Sequence, residues 1–411
     1  MKKSVKLGAA VLTAMFVLSA CTNTGGKDAA DIKEAVQTAN ENETKAGETA
    51  TAAPWIASKN TTRINTDDPV AAAVAVSRSL WMATGEDNRP GSVILTSADH
   101  WQNAVVSADL IHHPSNGPIL FVNKDGVPEA TAKELKRLQP SGVASNQGVQ
   151  VILVGNLGQD VEDQVKEIGF KTDKLSAGNP AALAKVIDAY YAKVAGENPS
   201  SVIIGSMDSQ EYTMPAINWI AHMPEPLLYV KQDEIPQETQ EALQTRGGKA
   251  NIYILGPESV ISAKVESKLK SFGNTVRISG EDPYANAIAF AKYKDEKTGF
   301  GWGITTPGHN FSFVNVDSPL LAIAAAPFSH LGKHTPLLWT DQEGMPESVM
   351  SYVMSVQPAY DRTPTEGPYN HAWLTGSAAT ISEKAQGEID SMLEITAKSG
   401  QGHGSMHGTN H

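Results

Sequence analysis

One pattern recurs three times along this chain, in copies of about 110 residues, and each copy keeps three landmarks in the same order. The opening landmark is Arg63-Ile64-Asn65-Thr66-Asp67-Asp68-Pro69, then Lys174-Leu175-Ser176-Ala177-Gly178-Asn179-Pro180, then Arg277-Ile278-Ser279-Gly280-Glu281-Asp282-Pro283, aligned without a gap. The second is an apolar run that leads into an acidic helix start, from Pro118, Pro226 and Pro336, with a further proline at Pro128, Pro236 and Pro346. The third is a β-rich run that ends in Gly155, Gly256 and Gly376 before a helical stretch. A chain built this way must repeat one supersecondary unit three times.

Within a copy, short continuous apolar runs such as SVILTS from Ser92 and SVIIGS from Ser201 suit buried strands. Helical periodicity separates them, and the helix after the second landmark carries proline and acids in its first turn, as helix starts prefer. Alternation of strand and helix implies parallel sheets with right-handed crossovers. Each copy is therefore expected to be a Rossmann-like three-layer α/β unit. The expected repeats are 61–173, 174–276 and 277–396.

The ends differ in composition. Lys2, Lys3 and Lys6 precede an uncharged apolar run from Leu7 to Ala20, too short to span a bilayer but of signal-peptide length. It closes on Leu18-Ser19-Ala20-Cys21, similar to the lipobox of bacterial lipoproteins, so cleavage between Ala20 and Cys21 and a diacylglycerol thioether on Cys21 are expected. This is the only cysteine, so no intramolecular disulfide exists. Residues 21–60 are poor in large apolar side chains and read as a flexible tether. Residues 397–411 read as a disordered tail in which His403, Met406, His407 and His411 offer ligands to a weakly bound divalent metal. No other cofactor is expected.

The net charge is −12, and loss of three lysines with the signal leaves 30 basic against 45 acidic residues. A basic footprint for nucleic acid is missing, so nucleic acid is not an expected partner. The sequence leaves the oligomeric state open.

The segment RISGEDPYANAIAFA from Arg277, and the stretch SPLLAIAAAPFSHLGKHTPLLW from Ser318, resemble the cell wall binding repeat 2 family. The resemblance covers about residues 61–396. It implies three tandem repeats packed as a pseudo-threefold unit, non-covalent attachment to anionic polymers of the Gram-positive wall, and no catalysis by the repeats. The family's signature tyrosine is present once, as Tyr284, with Val70 and Ala181 at the matching positions.

Two sets of residues are candidate polymer contacts. Arg63 and Arg277 either present a planar fork to phosphate or pair internally with Asp68 and Asp282, five residues on. Helix starts after Gly155, Gly256 and Gly376 either offer backbone N–H groups to phosphate or merely follow the tight turns that glycine permits. Asp99-His100 and Gly308-His309 are read as loops after the first strand of copies one and three, where α/β sheets place ligands. Copy two has Met207-Asp208-Ser209 there, and no nucleophile elbow or glycine-rich phosphate fingerprint occurs. His112-His113 reads as a solvated pair at a helix end. The expectation is a non-catalytic, wall-associated lipoprotein held at the extracytoplasmic face of the membrane. The alternative is a solute- or metal-binding lipoprotein that works with a transporter.

Overall fold

The computed structural model describes residues 55–82, 85–331 and 334–399. Ala20, Cys21 and the expected signal peptide, the expected tether as far as Pro54, and the tail residues His403, Met406, His407 and His411 lie outside the described residues.

The described chain opens with strands β1 (Trp55–Ala57) and β2 (Thr61–Ile64) and helix α1 (Pro69–Leu80). The first sheet then uses β3 (Val93–Ser97), β4 (Ile119–Val122), β5 (Val151–Val154) and β6 (Thr172–Leu175), in the order β4-β3-β5-β6, all parallel. Between these strands run α2 (Trp101–Ser107), α3 (Glu129–Leu138) and α4 (Gln159–Ile168). After α5 (Pro180–Ala195), the second sheet repeats the arrangement with β7 (Ser201–Ser206), β8 (Leu227–Val230), β9 (Ala250–Leu255) and β10 (Gly273–Ile278), in the order β8-β7-β9-β10. Its helices are α6 (Gln210–Thr213), α7 (Ala216–Ile220), α8 (Gln237–Gln244) and α9 (Ala263–Leu269).

Following α10 (Pro283–Lys292), the third sheet has β11 (Asn310–Asn315), β12 (Leu337–Thr340) and β14 (His371–Thr375), with helices α11 (Leu320–Ala325), α12 (Glu347–Ser355) and α13 (Glu383–Leu393). The short strands β13 (Ala359–Tyr360) and β15 (Thr396–Ala397) pair separately. The order is β12-β11-β14-β2-β1. The fourth strand is thus β2 from the start of the chain, parallel to β14 with Ala372 opposite Thr61 and Thr375 opposite Ile64.

In sheets one and two the corresponding strand, β6 or β10, carries the opening landmark of the next copy. The unit that repeats in sequence is therefore offset by one strand from the sheet that folds in space. The body also reaches further back than residue 61. Trp55–Ala57, read from sequence as tether, forms an antiparallel edge on β2, and the Trp55 indole N–H donates to Ser79 Oγ at 2.7 Å. Three adjacent apolar residues are too few to register as a strand by periodicity.

The central strands are apolar on both faces because helices cover both. Every residue of β4, β5, β8 and β12 is buried. Burying one such side chain contributes about 1.5–3 kcal/mol. The helices after each first strand, α2, α7 and α11 with their trailing turns, converge, and Asn218 Nδ2 on α7 donates to Thr335 O at 2.8 Å inside that junction. No helix among the described residues is long and apolar enough to cross a membrane.

Candidate functional site

Each opening landmark is a strand followed by a helix cap. Asp68, Asn179 and Asp282 accept from Ala71 N (2.7 Å), Ala182 N (2.9 Å) and Ala285 N (2.7 Å), with proline as the next residue. Such a cap contributes about 1 kcal/mol, and proline there gives up only an N–H that would lack a helical partner. Asp68 and Asp282 are therefore not the partners of Arg63 and Arg277, which corrects the internal pairing expected from sequence.

The landmark cations instead close the turn at the end of the neighbouring strand. Arg63 is 1% exposed. It donates Nε to Gln386 Oε1 at 2.8 Å, Nη1 to Gly376 O at 2.9 Å and Nη2 to Ser382 O at 3.3 Å. Burial lowers its pKa, opposed by the charges of Glu383 and Asp67. Arg277 reaches Glu266 Oε2 at 2.8 Å and Gly256 O at 2.7 Å, and Lys174 Nζ reaches Leu157 O at 2.9 Å. Arg63 thus has no fork to offer a polymer, and most of the Arg277 fork is spent internally.

The glycines serve the same turns. Gly155, Gly256 and Gly376 have φ of +99°, +129° and +143°, a region that side chains disfavour. Their N–H groups donate to Leu175 O, Ile278 O and Ile64 O at 2.8, 3.0 and 3.1 Å, extending the parallel ladders by one rung. These three N–H groups are therefore not available to phosphate. Beyond them the three turns differ. In copy three the Asp67 carboxylate accepts from Ser377 N at 2.7 Å, from Thr380 Oγ1 at 2.5 Å and from Ser377 Oγ. Burial works against its charge, but these donors win and hold its pKa below the usual carboxylate range. A carboxylate of the chain already fills the anion position there. In copy two the residue after the glycine is Pro257, which has no N–H.

Among the described residues, copy one alone combines such a turn, without proline or a bound carboxylate, with a cation. Thr96, Ser97, Asp99, His100, Asn103, Lys124, Gly155 and Asn156 line a crevice of about 260 Å³ at the carboxyl end of the first sheet. Asp99 is set by its own N–H, which donates to Ser97 Oγ at 3.1 Å. The same short turn recurs as Asp208 N to Ser206 Oγ (3.1 Å) and Asp317 N to Asn315 Oδ1 (2.8 Å). The sequence reading missed this threefold Asp99, Asp208, Asp317 set because it aligned Gly308-His309 with Asp99-His100. Gly308 and His309 precede β11 and lie at the opposite end of that sheet.

A second convergence lies where the helices after the first strands end. His112 stands six residues before Pro118, His222 four before Pro226 and His330 six before Pro336. The ring of His112 lies 4.8 Å from that of His330 and 5.9 Å from that of His222. His112 is exposed, as expected of a solvated helix-end residue, but it is also one member of a three-histidine group, while the ring of His113 packs on Tyr191 at 5.7 Å. The signal was present in sequence as at least one histidine shortly ahead of each second landmark. Beside His222, at 4.2 Å between rings, lies His334. A cavity of about 430 Å³ opens there, lined by Trp219, Lys294, Trp302 and His309 among others.

No family model matches the chain. The amidase enhancer of Bacillus subtilis (strain 168) is 25% identical over 211 residues, covering 50% of this chain and 28% of that protein. The N-acetylmuramoyl-L-alanine amidase LytC of the same organism is 23% identical over 233 residues, covering 56% of this chain and 42% of that protein. The chain therefore spans well under two thirds of the curated relatives it matches. In fold it is similar to Cwp6 from Clostridium difficile, with a TM-score of 0.62 at 18% identity over 84% of this chain and 50% of that one. It is likewise similar to Cwp8 from the same organism, with a TM-score of 0.61 at 17% identity over 87% of this chain and 55% of that one.

Proposed function

We propose that this chain is a non-catalytic lipoprotein of the bacterial surface, held to the membrane through Cys21 and contacting anionic cell-wall polymer through its repeats. One observation carries the reading. The chain matches an amidase and an amidase enhancer at similar identity, each over about half of its own length and over less than half of theirs. What two proteins of different stated roles share with a third is a common module better than it is either activity. Both printed roles concern the N-acetylmuramoyl-L-alanine linkage of the wall or an amidase, so wall association is the property that carries over.

The crevice at Lys124 is the best-placed contact. It offers one lysine and the only one of the three strand-end turns among the described residues that is neither filled by a carboxylate nor blocked by proline. Attachment at both lipid and wall would gain from effective concentration, so a weak polymer contact suffices. The test uses the unlipidated chain from Thr22 to His411, incubated with purified Gram-positive walls before and after acid extraction of their anionic polymers. Sedimentation with intact walls, lost after extraction and weakened several-fold by Lys124→Glu, is the expected result. Failure to sediment with either preparation refutes the reading.

A further inference from the structure

We propose that His112, His222 and His330 form a binding site for one divalent transition-metal cation of the zinc class, at the junction of the three repeats. The site is independent of the wall-binding reading and uses none of the tail residues.

The geometry begins with provenance. The three side chains come from three different copies, each from the segment between the helix after the first strand and the second-landmark strand. One ligand nitrogen from each lies within 4.8 Å of the other two, and no carboxylate or thiol among the described residues joins the group. A tetrahedral ion with Zn–N bonds of 2.0–2.1 Å would place its nitrogens about 3.4 Å apart. The rings therefore need to draw in by about 1.4 Å at most, and His112, which is exposed, has the freedom to do so.

The hydrogen bonding points the same way. His330 Nε2 lies 2.7 Å from Asn116 Oδ1. An amide oxygen only accepts, so Nε2 carries the proton and Nδ1 carries the lone pair. That Nδ1 is buried and has no partner, and so is Nδ1 of His222. A ring nitrogen left without a partner on each of two neighbouring buried histidines is costly. One shared cation resolves them together. Neutral imidazoles are the form a metal requires. The Asn116 contact also resembles the outer-shell bond that fixes ring orientation around metal-bound histidine.

Donor chemistry selects the ion. Three imidazoles without a carboxylate suit zinc, cobalt, nickel or copper, whereas calcium and magnesium demand oxygen ligands. Three protein ligands leave the fourth position of a tetrahedral ion to water. Bound there, the ion would tie together segments that otherwise meet through packing and few hydrogen bonds.

The experiment removes the tail first, with His403→Asn, His407→Asn and His411→Asn in the full chain. Binding of Co²⁺ and Zn²⁺ is then measured by equilibrium dialysis and by the visible absorption of tetrahedral Co²⁺. One ion per chain is expected, with an affinity that falls at least about a hundredfold for His330→Ala, and about tenfold for Asn116→Ala as for an outer-shell partner. His112→Asn, at an exposed position, tests the site without disturbing the core and should lose the Co²⁺ band while circular dichroism stays unchanged. No stoichiometric binding, or binding equal in the parent and in His112→Asn and His330→Ala, overturns the proposal.

Discussion

Replacing Arg63 with alanine distinguishes a structural closure from a ligand. The guanidinium is 1% exposed and donates to Gln386 Oε1, Gly376 O and Ser382 O. A hydrogen bond to a charged group is worth about 1.5–3 kcal/mol, but the three share one group and do not add. Burial has already cost part of that gain, as the lowered pKa of Arg63 records. Truncation leaves three acceptors without their donor and a cavity between β2 and α13, so the loss is about 3–5 kcal/mol. Against total stabilities of about 5–15 kcal/mol this is severe. Arg277→Ala provides the internal scale. Its side chain is 14% exposed with two partners, one of them the half-buried Glu266, so about 1–3 kcal/mol is expected. Urea denaturation followed by circular dichroism gives both values from midpoints at constant slope. A loss below about 1 kcal/mol for Arg63→Ala, accompanied by loss of wall binding, would show that the arginine acts outward and that the reasoning fails.

Two further outcomes follow from the same geometry. Because β2 is the fourth strand of the third sheet, a chain beginning at Asn65 should unfold at markedly lower urea than one beginning at Trp55, and expose β14 to self-association; equal midpoints would refute the closure. Asp109 is buried without a partner, and burial first, then the charges of Asp188 and Glu225, raise its pKa well above the ordinary carboxylate value of 3.8. The folded state keeps the proton that the unfolded chain releases above that value, so stability falls by up to about 1.4 kcal/mol per pH unit from there up to the folded pKa. Asp109→Asn should flatten that slope above about pH 4 in urea midpoints, and parallel slopes would disprove it.

Much of the fold is legible in the chain because it rests on local rules. Asp68-Pro69, Asn179-Pro180 and Asp282-Pro283 announce helix starts, since a side-chain acceptor before proline satisfies the first free N–H groups wherever it occurs. The runs at β4, β8 and β12 announce buried parallel strands because nothing polar interrupts them. The candidate site is less legible. From sequence Arg63 reads as a fork for phosphate or as a strut to Asp68, and only the position of Gln386, Gly376 and Ser382, more than 300 residues away, shows what it holds.

The sequence by itself determined that strand and helix alternate in a recurring α/β pattern and that glycine follows each third strand, both of which depend on contacts between near neighbours. Tertiary structure alone decided that β2 closes the last sheet, that Asp67 occupies one anion-like turn, and that His112, His222 and His330 meet. Those outcomes depend on how three similar units pack against one another, and a repeat that is equivalent in sequence does not reveal which of its faces turns inward.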